Sequence, residues 1–226
     1  MSTTPQSPRR FEAVIFDLDG VLVDSEVWWN DVRTAFAREH GRPWTHDDQL
    51  AVMGGNSREW AATMRRRLDL THLTAEVIER AIVDGVVARY ATDPSPVIDD
   101  APAEVRRIAA TRPVAIASSS HPEVIAAAVG ALGIRDVMSA IVSSDEVAAG
   151  KPAPDVYLLA ASRLGIEPAR CLVVEDSLNG VLAGKAAGMT VVLVPNASVP
   201  PAGDARDRAD HVLPSLAALE PDALLA

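Results

Sequence analysis

Short apolar runs recur along the chain, and most end abruptly in acids or hydroxyls. Residues 13–17, 114–118, 140–143, 172–175, 190–194 and 211–213 are such runs. Unbroken stretches of this length, rich in Val, Ile and Ala, predict strands buried on both faces. Between them, residues 102–110, 122–132, 154–164 and 178–187 carry apolar positions at helical spacing. Pro154 suits a first helical turn and Gly165 a helix end. Strands alternating with helices predict an α/β architecture, a parallel sheet covered on both faces. Residues 199–209, rich in Pro, Asp and Arg, read as a surface loop. No internal repeat is visible.

The alternation stops between the first strand and Val114. Residues 26–40, 47–53, 57–70 and 75–90 all read helical, with no convincing strand among them. This is a helical insert of about seventy residues, bounded by Asp24-Ser25 and by Asp93-Pro94-Ser95-Pro96. The expected division is a flexible tail over 1–10, a core made of 11–25 and 96–226, and an inserted α-helical domain over 26–95.

The chemistry gathers at the strand ends. The first apolar run opens into FDLDGVLVDSE, with Asp17 and Asp19 two residues apart and Gly20 behind them. The pattern reads as a buried strand emptying into a tight loop. Open α/β sheets hold ligands at the carboxyl ends of their strands. Two carboxylates there can divide the labour, one attacking or binding metal, the other moving a proton. Acids also fill turns and cap helices, so this segment alone leaves both readings open. Three more segments follow in order. VAIASSS ends in Ser118, Ser119 and Ser120, which can cap a helix or, with free N–H groups, bind an anion. EVAAGKPAPDVY sets Lys151, one of two lysines against nineteen arginines, between a glycine and a proline. CLVVEDSLNG ends in Glu175 and Asp176, a carboxylate pair of the kind hard cations prefer.

These four motifs, DxDGV, a serine after a strand, GKPAPD and EDSxxG, resemble the haloacid dehalogenase superfamily of aspartate-nucleophile phosphotransferases. DSE and EVAAGKPAPD are most similar to its branch of β-phosphoglucomutase and small sugar phosphatases. The resemblance spans roughly residues 11–195 and implies a Rossmann-like core with a mobile helical cap. It implies Asp17 as nucleophile, forming an aspartyl phosphate, and Asp19 as the acid and base. Ser118, Ser119 and Lys151 would hold phosphoryl oxygens. Mg2+ would bind Asp17, the backbone carbonyl of Asp19, and Asp176, with Glu175 either a further ligand or a supporting partner. The implied activity is Mg2+-dependent hydrolysis of small phosphorylated metabolites, sugar phosphates foremost. A dehalogenase would lack the second acid, and a phosphonate hydrolase would need a cap lysine; this insert contains none.

Substrate choice is expected in the cap. MGGNSREW resembles the phosphomutase segment whose arginine grips a distal phosphate, and Arg58 fills that place; a solvated arginine behind a helix cap is the other reading. Trp29 stands where the mutase pattern has a histidine. It could shape the pocket or pack the cap helix, and it weighs against a sugar phosphomutase. His121, after the serines, could touch substrate or simply start a helix. A non-catalytic phosphate-sensing protein is the alternative from another class, disfavoured by the intact Asp17, Asp19, Lys151 and Asp176.

Composition narrows the partners. A formal net charge of −10 and an isoelectric point near 4.9 argue against general binding to nucleic acid or to an acidic membrane. No apolar run reaches the ~18 residues of a membrane helix. The segment MSTTPQSPRR has no apolar signal core. The single cysteine, Cys171, cannot form an internal disulfide and reads as buried packing. A monomeric cytoplasmic enzyme is the expectation.

Overall fold

The structure, a computed structural model, describes residues 11–224 apart from positions 54 and 99. The tail expected over 1–10 lies outside the described residues.

Six strands form one parallel sheet: β1 (Ala13–Phe16), β2 (Val114–Ser118), β3 (Met138–Ser143), β4 (Cys171–Glu175), β5 (Thr190–Leu193) and β6 (His211–Val212). Their spatial order is β3-β2-β1-β4-β5-β6. β1 is central, and the chain leaves it first toward β2 and later returns on its other side as β4. That reversal opens a crevice at the carboxyl ends of β1 and β4, where sheets of this kind bind ligands. In register, Phe16 pairs with Ile116 on one side and Val174 on the other. Asp17 and Glu175, each one residue further on, are thereby brought level.

The strands alternate between two buried faces. Val14, Phe16, Ile116, Leu172 and Val174 pack with α5 (Ala101–Ala109) and α6 (Pro122–Leu132). Ala13, Ile15, Ala115, Ala117 and Val173 pack with α7 (Asp155–Leu164) and α8 (Leu178–Ala186). Burying each large aliphatic side chain is worth ~1.5–3 kcal/mol, and a one-residue slip would exchange the two faces. The alternation therefore fixes the register that aligns the strand-end acids. Pro154 caps α7 from just outside it, and Gly165 ends that helix in the left-handed region at φ 68°.

The insert consists of α1 (Glu26–Glu39), α2 (His46–Leu50), α3 (Ser57–Arg67) and α4 (Ala75–Thr92). Capping boxes at Thr45 and Asn56 start α2 and α3. These helices share their own apolar cluster, including Trp29, Phe36, Trp60, Met64, Ile78 and Ile82, which reaches the core through Val124 of α6. Polar contacts close the same joint. Arg80 pairs with Glu123 at 2.7 Å, and the Ser57 N–H donates to Asp145 at 2.8 Å. Among the described residues no helix is long and apolar enough to cross a membrane.

Residues 199–209 are not simply a surface loop. Ala205–Arg208 forms a short helix, α9, with Ala205 buried. Arg208 pairs with Asp204 at 2.7 Å and stabilises that turn. One acid and one arginine of the stretch are thereby paired locally, a use that composition does not distinguish from a solvated loop.

Candidate active site

The loop after β1 is built by Gly20. Its φ of +92° lies where residues with a side chain are strained, and it lets the chain fold back so that the Leu22 and Val23 N–H groups reach the Leu18 carbonyl at 2.9 and 3.1 Å. A Cβ at Gly20 would also overlap the Asp176 carboxylate. The glycine thus brings the β1 loop and the β4 loop into direct contact. Asp17, only 6 % exposed, anchors its own N–H on the Val174 carbonyl at 2.9 Å. The Asp19 carboxylate accepts hydrogen bonds from Ser25 Oγ and, at 2.7 Å, from Ser120 Oγ.

Lys151 reaches the same point from the segment between β3 and α7. Its Nζ donates to Asp17 Oδ1 at 2.5 Å, Glu175 Oε1 at 2.6 Å and the Ala117 carbonyl at 3.2 Å. These three acceptors satisfy an ammonium group. Glu175 is equally engaged. Oε1 also accepts from the Tyr157 hydroxyl at 2.7 Å. Oε2 takes the Asp176 N–H, the Ser177 N–H and Ser177 Oγ at 3.0–3.1 Å.

The electrostatics follow from burial. Burial works against the Lys151 charge, but Asp17 and Glu175 outweigh it and hold its pKa well above the usual value. Glu175 is likewise opposed by burial yet kept below the usual carboxylate range by Lys151. Asp17 and Asp176 go the other way. Burial first, then neighbouring carboxylates, push both well above the ordinary range, although Lys151 pulls against the shift. One ammonium faces more carboxylates than it can balance.

A hard divalent cation suits that imbalance. Carboxylate oxygens of Asp17, Glu175 and Asp176 lie within 4.8 Å of one another. The donors are all oxygen, as Mg2+ and Ca2+ require. The residues fit such an ion, with Asp17 and Asp176 as the available carboxylates, because both oxygens of Glu175 are already occupied.

Above these groups is a cavity of about 350 Å³ between sheet and insert. Asp17, Asp19, Ser119, Lys151, Glu175, Asp176 and Trp29, all expected at the site, line it together. Ser118 is buried beside them. Its Oγ accepts the Ser120 N–H at 3.0 Å and lies 3.5 Å from Asp19 Oδ2, so Ser119 and Ser120 form the wall in its place. Arg58 is not among the lining residues; it donates to the Asp145 carbonyl at 3.0 Å and ties insert to core. His121 also lies off the wall. It caps α6 by accepting the Glu123 N–H at 3.3 Å, and its Nε2 lies 3.8 Å from Glu79.

Sequence reasoning missed Arg33, Glu26 and Trp60, which line the cavity from the insert, and the segment Val199, Pro200, Pro201 and Ala202. Arg33 carried a usable signal, since it lies one helical turn beyond Trp29 on the same face. The segment after β5 carried none. It is brought in by Ser198 Oγ donating to Asp24 at 2.5 Å.

A family model described as haloacid dehalogenase-like hydrolase matches residues 11–188. The chain belongs to the haloacid dehalogenase-like hydrolases. Among curated relatives of this hydrolase is a fructose-1-phosphate phosphatase, YqaB, of Escherichia coli. It is 30 % identical over 190 residues, covering 81 % of this chain and 96 % of the relative. The bifunctional riboflavin kinase/FMN phosphatase of Arabidopsis thaliana is 34 % identical over 218 residues; 96 % of this chain is covered, but the match spans 56 % of that larger protein. Among solved structures, CbbY from Rhodobacter sphaeroides in complex with phosphate superposes with a TM-score of 0.80 at 28 % identity, covering 95 % of this chain and all of that one.

Proposed function

We propose that this hydrolase is a Mg2+-dependent phosphatase of small phosphorylated metabolites, sugar phosphates foremost, working through an aspartyl phosphate on Asp17. The observation that carries the reading is the convergence of Asp17, Asp19, Lys151 and Asp176 on one cavity at the carboxyl ends of β1 and β4. Relatives described as phosphatases of fructose 1-phosphate and FMN support the substrate class.

In this mechanism the Asp17 carboxylate attacks the phosphorus atom, and the bond to the leaving oxygen breaks. Asp19 gives its proton to that oxygen. It then takes a proton from a water that attacks the aspartyl phosphate, freeing inorganic phosphate and restoring Asp17. Ser25 and Ser120 hold Asp19 in place for both transfers. Ser119 and Lys151 would bind phosphoryl oxygens, and Ser118 would position the Ser120 N–H. Asp17 and Asp176, with the Asp19 carbonyl, would hold Mg2+, which when bound supplies positive charge against the phosphoryl group. Glu175 serves as the post that fixes Lys151 and the loop of Asp176. The four-helix insert, proposed as a cap over residues 26–95, excludes water from the cavity. Arg58 acts in this reading as a clasp between cap and core. A cytoplasmic setting with metabolite substrates completes the proposal.

Phosphate release from a panel of sugar phosphates, with Mg2+, tests it. Asp17→Asn keeps the shape and removes the attacking charge, so it should lose nearly all turnover while remaining folded. Turnover close to that of the native protein would exclude Asp17 as nucleophile. Absence of release from every ester would favour a phosphate-sensing role.

A further inference from the structure

Arg33 is a buried cation with no carboxylate in contact among the described residues. It is 5 % exposed, yet it lines the catalytic cavity. Its guanidinium carbon lies 4.9 Å from the Trp29 ring centre and 5.4 Å from that of Trp60. Nη1 donates to Gln49 Oε1 at 3.3 Å, and Gln49 in turn donates to Glu26 Oε2 at 3.3 Å. Nε is buried without a hydrogen-bond partner among the described residues. Burial pushes its pKa down to about 10, with Glu26 and Asp19 opposing, so it is charged at neutral pH.

A guanidinium removed from water and left with open donors is costly unless an anion meets it. Two indoles fix its position, and its planar fork matches a carboxylate or phosphate edge. The other cation among the described lining residues, Lys151, is held beside Asp17 by Asp17, Glu175 and the Ala117 carbonyl, so in the proposed mechanism it serves the reacting phosphoryl group and not the far end of the substrate. Arg58 is spent on the Asp145 carbonyl outside the cavity.

We propose that Arg33 is the receptor for a second anionic group on the substrate, a carboxylate or a second phosphate, at the end remote from the phosphoester that is cleaved. The assignment rests on the phosphatase reading and narrows it to phosphate esters with an anionic far end. A neutral polyol phosphate would bring no anion to the open Arg33 donor and should be the poorer substrate.

The experiment compares matched pairs. 6-Phosphogluconate and glucitol 6-phosphate differ in a remote carboxylate; fructose 1,6-bisphosphate and fructose 6-phosphate differ in a second phosphate. Phosphate release is measured with Mg2+ for the native protein, Arg33→Lys and Arg33→Gln. The native protein should favour the anionic member of at least one pair, and which pair identifies the anion. Arg33→Gln should reduce that preference by about 10- to 100-fold, chiefly through KM, the size expected for one charge-assisted hydrogen bond. Arg33→Lys should keep part of it, as a point charge without the fork. Equal losses on both members of each pair, or a native preference for the neutral members, would overturn the proposal. A binding arm separates this from the phosphatase reading: tryptophan fluorescence of the Asp17→Asn protein is titrated with the same compounds. Tighter binding of the anionic member that Arg33→Gln abolishes would uphold Arg33 even if no phosphate were ever released. Binding indifferent to Arg33 would overturn it even in an active phosphatase.

Discussion

The Gly180 α-carbon packs so closely on the Glu175 carboxylate that a side chain at position 180 would overlap it. Gly180 lies in α8, where alanine would ordinarily be favoured over glycine by ~1 kcal/mol. Here overpacking, at ~1–3 kcal/mol, opposes that gain. The displaced carboxylate also anchors Lys151, Tyr157 and the turn at Asp176 and Ser177. Gly180→Ala should therefore be less stable in denaturant titration and much less active. A variant more stable than the native chain and fully active would contradict this packing.

Lys151 holds together two carboxylates that burial would otherwise penalise. Lys151→Gln removes the charge from a site where Lys151 is 6 % exposed and Glu175 1 % exposed. Breaking a buried pair from one side costs ~3–5 kcal/mol because the partner is left uncompensated. The expected result is loss of turnover together with a fall in Tm of several degrees. Equal Tm values for variant and native protein would show that Lys151 does not neutralise Glu175.

Metal and proton should compete for Asp17 and Asp176. Both carboxyls are raised by burial and by neighbouring acids. A raised carboxyl contributes stability at low pH that is lost as pH climbs through its folded pKa. Metal-free protein should thus lose stability from this pair as pH rises from the ordinary carboxylate range toward neutrality. Mg2+ must displace those protons, so its stabilisation grows with pH. Thermal melts with Mg2+ or EDTA at pH 5 and pH 7.5 check this, and the Mg2+-dependent rise in Tm should be larger at pH 7.5. EDTA should abolish turnover and Mg2+ restore it. A metal effect that is larger at pH 5, or full activity in EDTA, would remove Asp176 from the metal site.

The strand-end chemistry was legible because it is local. The runs ending in Asp17, Ser118 and Glu175 are contiguous in sequence, and the parallel register alone brings their ends level. Strand β2 and helix α6 match the expected bounds at both ends, the other expected elements differ by a few residues at their ends, and α9 was not expected. The cap side of the cavity was less legible because it depends on how helices face one another. Trp29 and Trp60 meet at 6.0 Å from different helices, and Arg33 lies against both. Nothing in linear spacing pairs α1 with α3. Arg58 illustrates the converse: its motif suggested a ligand contact, but α3 directs it to the Asp145 carbonyl at the insert–core joint.

Trp29 also bears on whether water or a sugar hydroxyl receives the phosphoryl group. A mutase must keep water from its aspartyl phosphate until a second hydroxyl arrives, which requires the proton-transfer residue to be held back until the cap closes. In this chain Asp19 is held by Ser25 and Ser120, with no tie to Trp29. Trp29 lines the cavity with its ring edge-to-face against Trp60. An indole offers one N–H donor and no acceptor, so it cannot both give and take hydrogen bonds as a histidine does. In the proposed mechanism Asp19 is therefore free to activate water in every turnover. Incubated with glucose 1-phosphate and Mg2+, the protein should release inorganic phosphate without glucose 1,6-bisphosphate, and glucose 6-phosphate should not accumulate. Adding the bisphosphate should not accelerate turnover. Isomerisation that depends on the bisphosphate and outruns phosphate release would make the chain a mutase, and would show that the insert holds Asp19 back without a histidine at position 29.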